Sequence, residues 1–249
     1  MVGFYLMGDP KMAARIKASI LHKARLTKSR SNKAIRTKAK QRAEARERIL
    51  DAAELVFSKF GLHGATLRDV AQEVGIHTSL VHYYFQDKLW LFKAVYVRRA
   101  VIVSNLSMKA LDAYEKEVGD HPTISGALHA YLDTDLDLYS QGDEGWRNYA
   151  AFCAQLANTP EGAGLLEEHF DGVVLRMIAI FRKAMPDLPE REIFWAYHFV
   201  SGSHMHSLAS SGRLDQLSKG LCKSGDLKAV KERMAEFLAA GFDALVVCG

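Results

Sequence analysis

The sequence predicts an all-α protein, with an N-terminal three-helix helix-turn-helix domain ahead of a larger helical bundle and about nine helices in total. Three observations lead there. Apolar residues recur at three- and four-residue steps along most of the chain, and Gly61, Gly75, Gly119, Pro122, Pro186 and Pro189 fall between those runs. No stretch alternates apolar with polar residues as a half-buried strand would, and no Asn-Gly hairpin signal occurs.

The totals agree with a globular chain of one to two domains: 249 residues, 49% apolar and 25% charged. The three cysteines, Cys153, Cys222 and Cys248, fit neither a disulfide framework nor a zinc site, so a reducing cytoplasm is expected. The apolar opening MVGFYLM gives way to Gly8, Asp9 and Pro10, too soon for a signal-peptide core. No apolar run is long enough to span a membrane, and no cofactor is expected. Charge is uneven. Residues 1–48 carry 14 Lys/Arg against 3 Asp/Glu, whereas the remainder carries 19 against 26. A basic arm on an acidic body suits a polyanionic partner at one end, although a solvated tail has the same composition.

Residues 1–41 form that arm; beyond Pro10 it is rich in helix formers, but its apolar residues keep no sustained stripe, which suggests flexibility until a partner is met. Met7 or Met12 is an alternative start. From about Arg42, Ile49, Ala52, Ala53, Val56, Phe57 and Phe60 mark a first amphipathic helix that Gly61 stops. Thr66 to Asp69 reads as a capping box for a second helix with Leu67, Val70, Ala71 and Val74 inward. Gly75 permits a turn, and a short third helix covers about Thr78 to Tyr84. Asp87 then caps a long helix running to about Tyr114 or Val118. Further helices are expected near 123–140, 146–157, 163–184, 190–211 and 226–245, with a loop at 212–225.

The segments RERILDAAELVFSKFG, TLRDVAQEVGI, VHYYF and DKLWLF, in that order within residues 46–92, resemble the TetR family of bacterial transcriptional regulators. The resemblance implies a DNA-binding domain over 42–88, a ligand-binding and dimerisation domain over 89–249, a homodimer built on the last two helices, and repression of a palindromic operator. Within that frame the third helix is the recognition helix. His77, Thr78 and Ser79 at its start face base edges or phosphates, and His82 and Tyr83 lie one turn further on. Tyr84 divides between core and phosphate, Phe85 belongs to the core, and simple aromatic packing is the competing account of Tyr83 and Tyr84. Thr66 and Lys88, at helix starts, suit phosphate clamping. Arg48 is the arm-side candidate for a phosphate, with pairing of Arg46 or Arg48 to Glu44 or Glu47 as the alternative. One departure stands out: the family usually opens this helix with Ser or Thr where this chain has His77, so the cap is expected to move to Thr78.

The second domain is less diagnostic. Trp146, Tyr149, Phe152 and Met177 are candidates for the wall of an apolar ligand pocket, with Arg176 and His198 as polar anchors. The stretch LPEREIFWAYHFVSGSHMHSLASSGRL loosely resembles the C-terminal domain of a fatty-acid-responsive TetR subgroup, which implies a lipophilic effector. His204 and His206 lie on opposite helix faces, so no metal site is expected. Leu227, Val230, Met234, Phe237, Leu238, Phe242 and Leu245 are expected to make a dimer stripe on the last helix. There is no nucleophile elbow or phosphate-binding Gly-rich loop, so an enzyme is not expected. The alternative function is a non-sequence-specific or architectural DNA-binding protein that uses its basic arm.

Overall fold

The computed structural model describes the backbone of residues 10–247 and the side chains of residues 36–245. The expectations on the opening apolar residues, on the start at Met7 or Met12 and on side chains before residue 36 lie outside that range. The described residues form ten α-helices and no strand. The helix beyond the expected set is the five-residue α9 (Arg213–Leu217), inside the stretch read as a loop.

Contacts divide the chain into residues 1–48 and 49–249. In the first unit the backbone is helical from Pro10, the start of α1 (Pro10–Gly64), well before the apolar periodicity sets in near Arg42. Ala, Lys, Arg and Gln favour helix through propensity alone. From residue 36 to 48 only Ala45 is partly covered. Lys40 lies 3.7 Å from Glu44 and Arg46 lies 3.4 Å from Glu47, exposed pairs that add little stability.

The second unit begins where α1 gains a buried face: Ile49, Leu50, Ala53, Val56 and Phe57 are all inside. Gly61 stops the regular helix with φ 64°, and a Cβ there would meet Gln155 Oε1 at 2.8 Å. Both the left-handed backbone and the close approach demand glycine. Next come α2 (Leu67–Val74) and α3 (Thr78–Phe85), joined through Gly75 at φ 75°. The long α4 (Lys88–Val118) opens on the Asp87 side chain, which accepts from the Trp90 amide at 2.8 Å.

The remaining helices are α5 (Ile124–Gln141), α6 (Glu144–Leu156), α7 (Pro160–Ala184), α8 (Glu190–Leu208) and α10 (Leu227–Val247). α5 packs between α4 and α10, and α7 lies along α4. α6 reaches back to the first helices: Phe152 meets Phe92 of α4 at 4.7 Å between ring centroids, and Phe57 of α1 meets Phe92 at 5.0 Å. The helix-turn-helix region and the bundle therefore share one apolar core. Each such aromatic contributes about 1.5–3 kcal/mol by leaving water.

The structure corrects the expected dimer stripe of α10. Leu227, Met234, Leu238 and Phe242 are buried within this chain, and Phe242 packs on Phe181 at 4.9 Å. The periodicity was real, but α5 and α7 use it, which leaves Phe237 at 77% exposure. Among the described residues no helix is long and apolar enough to cross a membrane.

Candidate functional site

The first candidate surface is built on α2 and α3. Thr66 and Asp69 close the capping box expected of them: the Asp69 amide donates to Thr66 Oγ1 at 3.2 Å, and the Thr66 amide donates to Asp69 Oδ2 at 2.9 Å. The Thr66 hydroxyl also donates to Asp69 Oδ2 at 2.7 Å, and these bonds hold the Asp69 carboxyl below its usual range. Val81 and Phe85 lock α3 into the core, and Tyr84 is half-buried beside them. Opposite that face His77, Ser79, His82 and Tyr83 are exposed, with Tyr83 at 64%, and Thr78 is partly covered. Lys88 Nζ donates to the Ala65 carbonyl at 3.1 Å, which ties α4 to the residue before the α2 cap. Arg48 is exposed on α1, in the unit that carries the arm.

His77 corrects the expected shift of the cap. It is the N-cap of α3 itself: its Nδ1 accepts from the Ser79 amide at 3.5 Å and lies 3.0 Å from Ser79 Oγ. An imidazole nitrogen can stand in for the usual hydroxyl because a cap needs only an acceptor. With Nδ1 accepting, neutral His77 carries its proton on Nε2 and presents a donor. His82 is the reverse. Its Nδ1 lies 2.9 Å from the Gln86 carbonyl oxygen, which can only accept. Neutral His82 therefore donates through Nδ1 and presents Nε2 as an acceptor.

A charged cluster with no local sequence signature joins α1 to α4. Glu54 of α1 is buried and takes two arginines from α4: Arg98 Nη2 at 2.8 Å, and Arg99 through Nε at 2.7 Å and Nη2 at 3.0 Å. Arg98 Nη1 also reaches Asp51 at 2.6 Å. The other side of the Arg99 guanidinium lies 4.4 Å from the Trp146 ring of α6. Gln155 of α6 donates to the Ser58 carbonyl of α1. The helix-turn-helix region is thus joined to the bundle through α6 as well as through α4.

The structure gathers only part of the expected ligand set. Trp146, Tyr149 and Phe152 line one side of α6, with Tyr149 6.2 Å from both of the other rings, and Met177 is fully buried on α7. Arg176 and His198 are not with them. Arg176 is exposed and paired with Glu115 at 2.6 Å, and His198 is exposed beside Trp195 at 5.8 Å. Both project from outer helix faces, because the inner positions of α7 and α8 are taken by Met177, Val173, Val200 and His204.

The polar groups that do point inward were not found from the sequence. His204 of α8 is 1% exposed, and its Nε2 lies 3.3 Å from Asp135 Oδ2 of α5 without hydrogen-bond alignment. Asp135 Oδ1, both His204 ring nitrogens and the Tyr96 hydroxyl have no hydrogen-bond partner among the described residues. Burial raises the Asp135 carboxyl above its ordinary value, an effect that His204 partly offsets. Tyr131, 6.2 Å from His204, and Tyr139 complete the surroundings, and burial raises both phenols. The adjacent Cys153 thiol is pushed up to about 12 by burial, so it stays protonated. Beside Tyr139 a cleft of 490 Å³ opens between α6, α8 and α10, with Arg147, Asp226 and Lys228 among its residues.

Comparison with known proteins bears on both regions. The family model of bacterial regulatory proteins of the tetR family matches residues 49–95. A model described as the tetracyclin repressor-like C-terminal domain matches residues 129–241. The HTH-type transcriptional repressor BepR of Brucella suis biovar 1 is 31% identical over 105 residues, which are 42% of this chain and 47% of that protein. The chain thus spans about half the length of that relative. The HTH-type transcriptional regulator BetI of Serratia proteamaculans is 23% identical over 146 residues, covering 59% of this chain and 71% of that one. Among solved structures, the regulator FadR from Bacillus subtilis in complex with stearoyl-CoA superposes with a TM-score of 0.51 at 16% identity, covering 78% of this chain and 98% of that one. At that identity the likeness concerns the fold.

Proposed function

This chain belongs to the TetR family of bacterial transcriptional regulators, and from that premise we propose that it is a ligand-responsive homodimeric repressor of a palindromic operator. The observation that carries the reading is α3, whose inner side is fixed by Val81 and Phe85 while His77, Ser79, His82 and Tyr83 face outward. A short helix held this way presents donors and acceptors of fixed direction to a major groove. His77 Nε2–H suits guanine O6 or N7, and His82 Nε2 suits an adenine or cytosine amino group. Thr66 positions α2 through its cap, Lys88 braces the α2 entrance, and Thr78 and Tyr84 add phosphate contacts; Arg48 and the arm are assigned to DNA phosphates on their charge alone.

Dimerisation rests on α8. Trp195, Phe199, Gly202 and His206 are exposed at helical spacing on one face, and Phe237 of α10 is exposed too. Two recognition helices about 34–36 Å apart then read successive major grooves. The effector is a small lipophile held against Trp146, Tyr149, Phe152 and Met177. Arg176 and His198 have no part in that site. Movement of α6 on binding passes through Trp146 to Arg99 and Glu54, and through Gln155 to Ser58, and so biases the spacing of the reading helices.

Selection of bound DNA from a random pool, followed by footprinting, tests the reading. One protected palindrome is expected; diffuse protection at low salt points instead to an architectural DNA-binding protein. Deleting residues 1–40 should weaken binding and flatten its dependence on salt, because fewer counterions are released. An unchanged slope removes the arm from the interface.

A further inference from the structure

We infer that the centre of the α4–α8 bundle is a receptor for an organic cation, an amine carried on an apolar body, whose ammonium group sits against Asp135 and the surrounding phenols. The inference rests on the effector reading above and names the chemistry of the effector.

Four helices place buried polar side chains in this core: Tyr96 on α4, Asp135 and Tyr139 on α5, Tyr149 on α6 and His204 on α8. Tyr96 and Tyr149 stack at 6.4 Å between ring centroids, and Tyr131 stands 6.2 Å from His204. Asp135 Oδ1, both nitrogens of His204 and the Tyr96 hydroxyl make no hydrogen bond within the described residues. Native interiors satisfy nearly all such groups, and a cluster of unsatisfied ones drawn from separate helices marks a place meant for a polar guest.

The sign of the guest follows from the charges present. Asp135 is the carboxylate of the cluster, and among the described residues its recorded ion-pair partner is His204 rather than an arginine or lysine. The nearest guanidinium on α4, Arg99, is already held by Glu54 and Trp146. An ammonium group gives Asp135 Oδ1 a donor and lies against the electron-rich rings beside that carboxylate, Tyr131 and Tyr139. A carboxylate or phosphate would stand beside Asp135 with no fixed positive charge to hold it. An anion has a better place in the cleft near Tyr139, where Arg147 and Lys228 lie.

The test uses the full-length protein and three probes with one apolar body: octylamine, octanol and octanoate, titrated calorimetrically at neutral pH. Octylamine should bind about tenfold tighter than octanol, with octanoate weakest. In Asp135→Asn that advantage should vanish while octanol affinity stays the same. Octanoate or octanol matching octylamine in the unaltered protein overturns the proposal, as does an amine preference that survives Asp135→Asn or a failure of octylamine to bind. The ranking in the unaltered protein needs no variant to fold. Operator release is read separately. Octylamine that binds through Asp135 but leaves DNA in place supports this site and sinks the effector reading. Release by octanol or octanoate without a preference for the amine keeps the effector reading and overturns the cation.

Discussion

The helix-turn-helix region and the bundle interior treat their polar groups in opposite ways. Around α1 to α4, Thr66 and Asp69 cap each other, His77 caps α3, His82 bonds Gln86, Asp87 caps α4, and the buried Glu54 is held by two arginines. At the centre of the bundle Tyr96, Asp135 and His204 are equally buried and largely unsatisfied. The first region is complete in itself, as an element that must present one rigid surface has to be. The second carries unmet hydrogen-bonding capacity, and binding energy from a guest can be spent there on changing shape.

That contrast can be broken by substitution, beginning with its strongest member. Glu54→Ala leaves two largely buried guanidinium groups without their carboxylate and should cost about 3–5 kcal/mol in urea unfolding. A loss below about 1 kcal/mol would mean that the arginines find water, and that the cluster is no strut. Thr66→Ala removes the cap of α2 and should cost about 1 kcal/mol, read as a lower midpoint at unchanged slope.

Asp135→Asn sharpens the other side. Because the folded protein raises the Asp135 carboxyl, its contribution is fully present below the ordinary aspartate range and is lost as pH rises through the folded value. Unliganded protein should therefore lose stability over that window, with His204 and Asp133 the facing charges. Asp135→Asn should flatten that part of the profile in thermal melts at a series of pH values; an unchanged profile would place the carboxyl in contact with water. Tyr96→Phe removes a buried hydroxyl without a hydrogen-bond partner and should change stability by less than about 0.5 kcal/mol. A large loss would show that the hydroxyl is bonded after all.

Much of the fold was legible because helices announce themselves locally. Gly61 breaks the regular helix of α1, Gly75 and Gly119 stop α2 and α4, and Thr66 and Asp87 start α2 and α4. The short α3 was legible for the same reason, and its cap stays at His77 because a ring nitrogen can accept as a hydroxyl does. The five-residue α9 escaped because so short an element has no periodicity to detect.

The sequence by itself determined the helices, the helix-turn-helix and the resemblance to a family, since propensity, capping and i to i+4 spacing act within a few residues. Only the tertiary structure decided that α10 turns its stripe toward α5, that Arg99 bridges Glu54 and Trp146, and that Asp135 meets His204. Those pairings join helices far apart in the chain. A single amphipathic face says that it will be buried, and packing alone says against what.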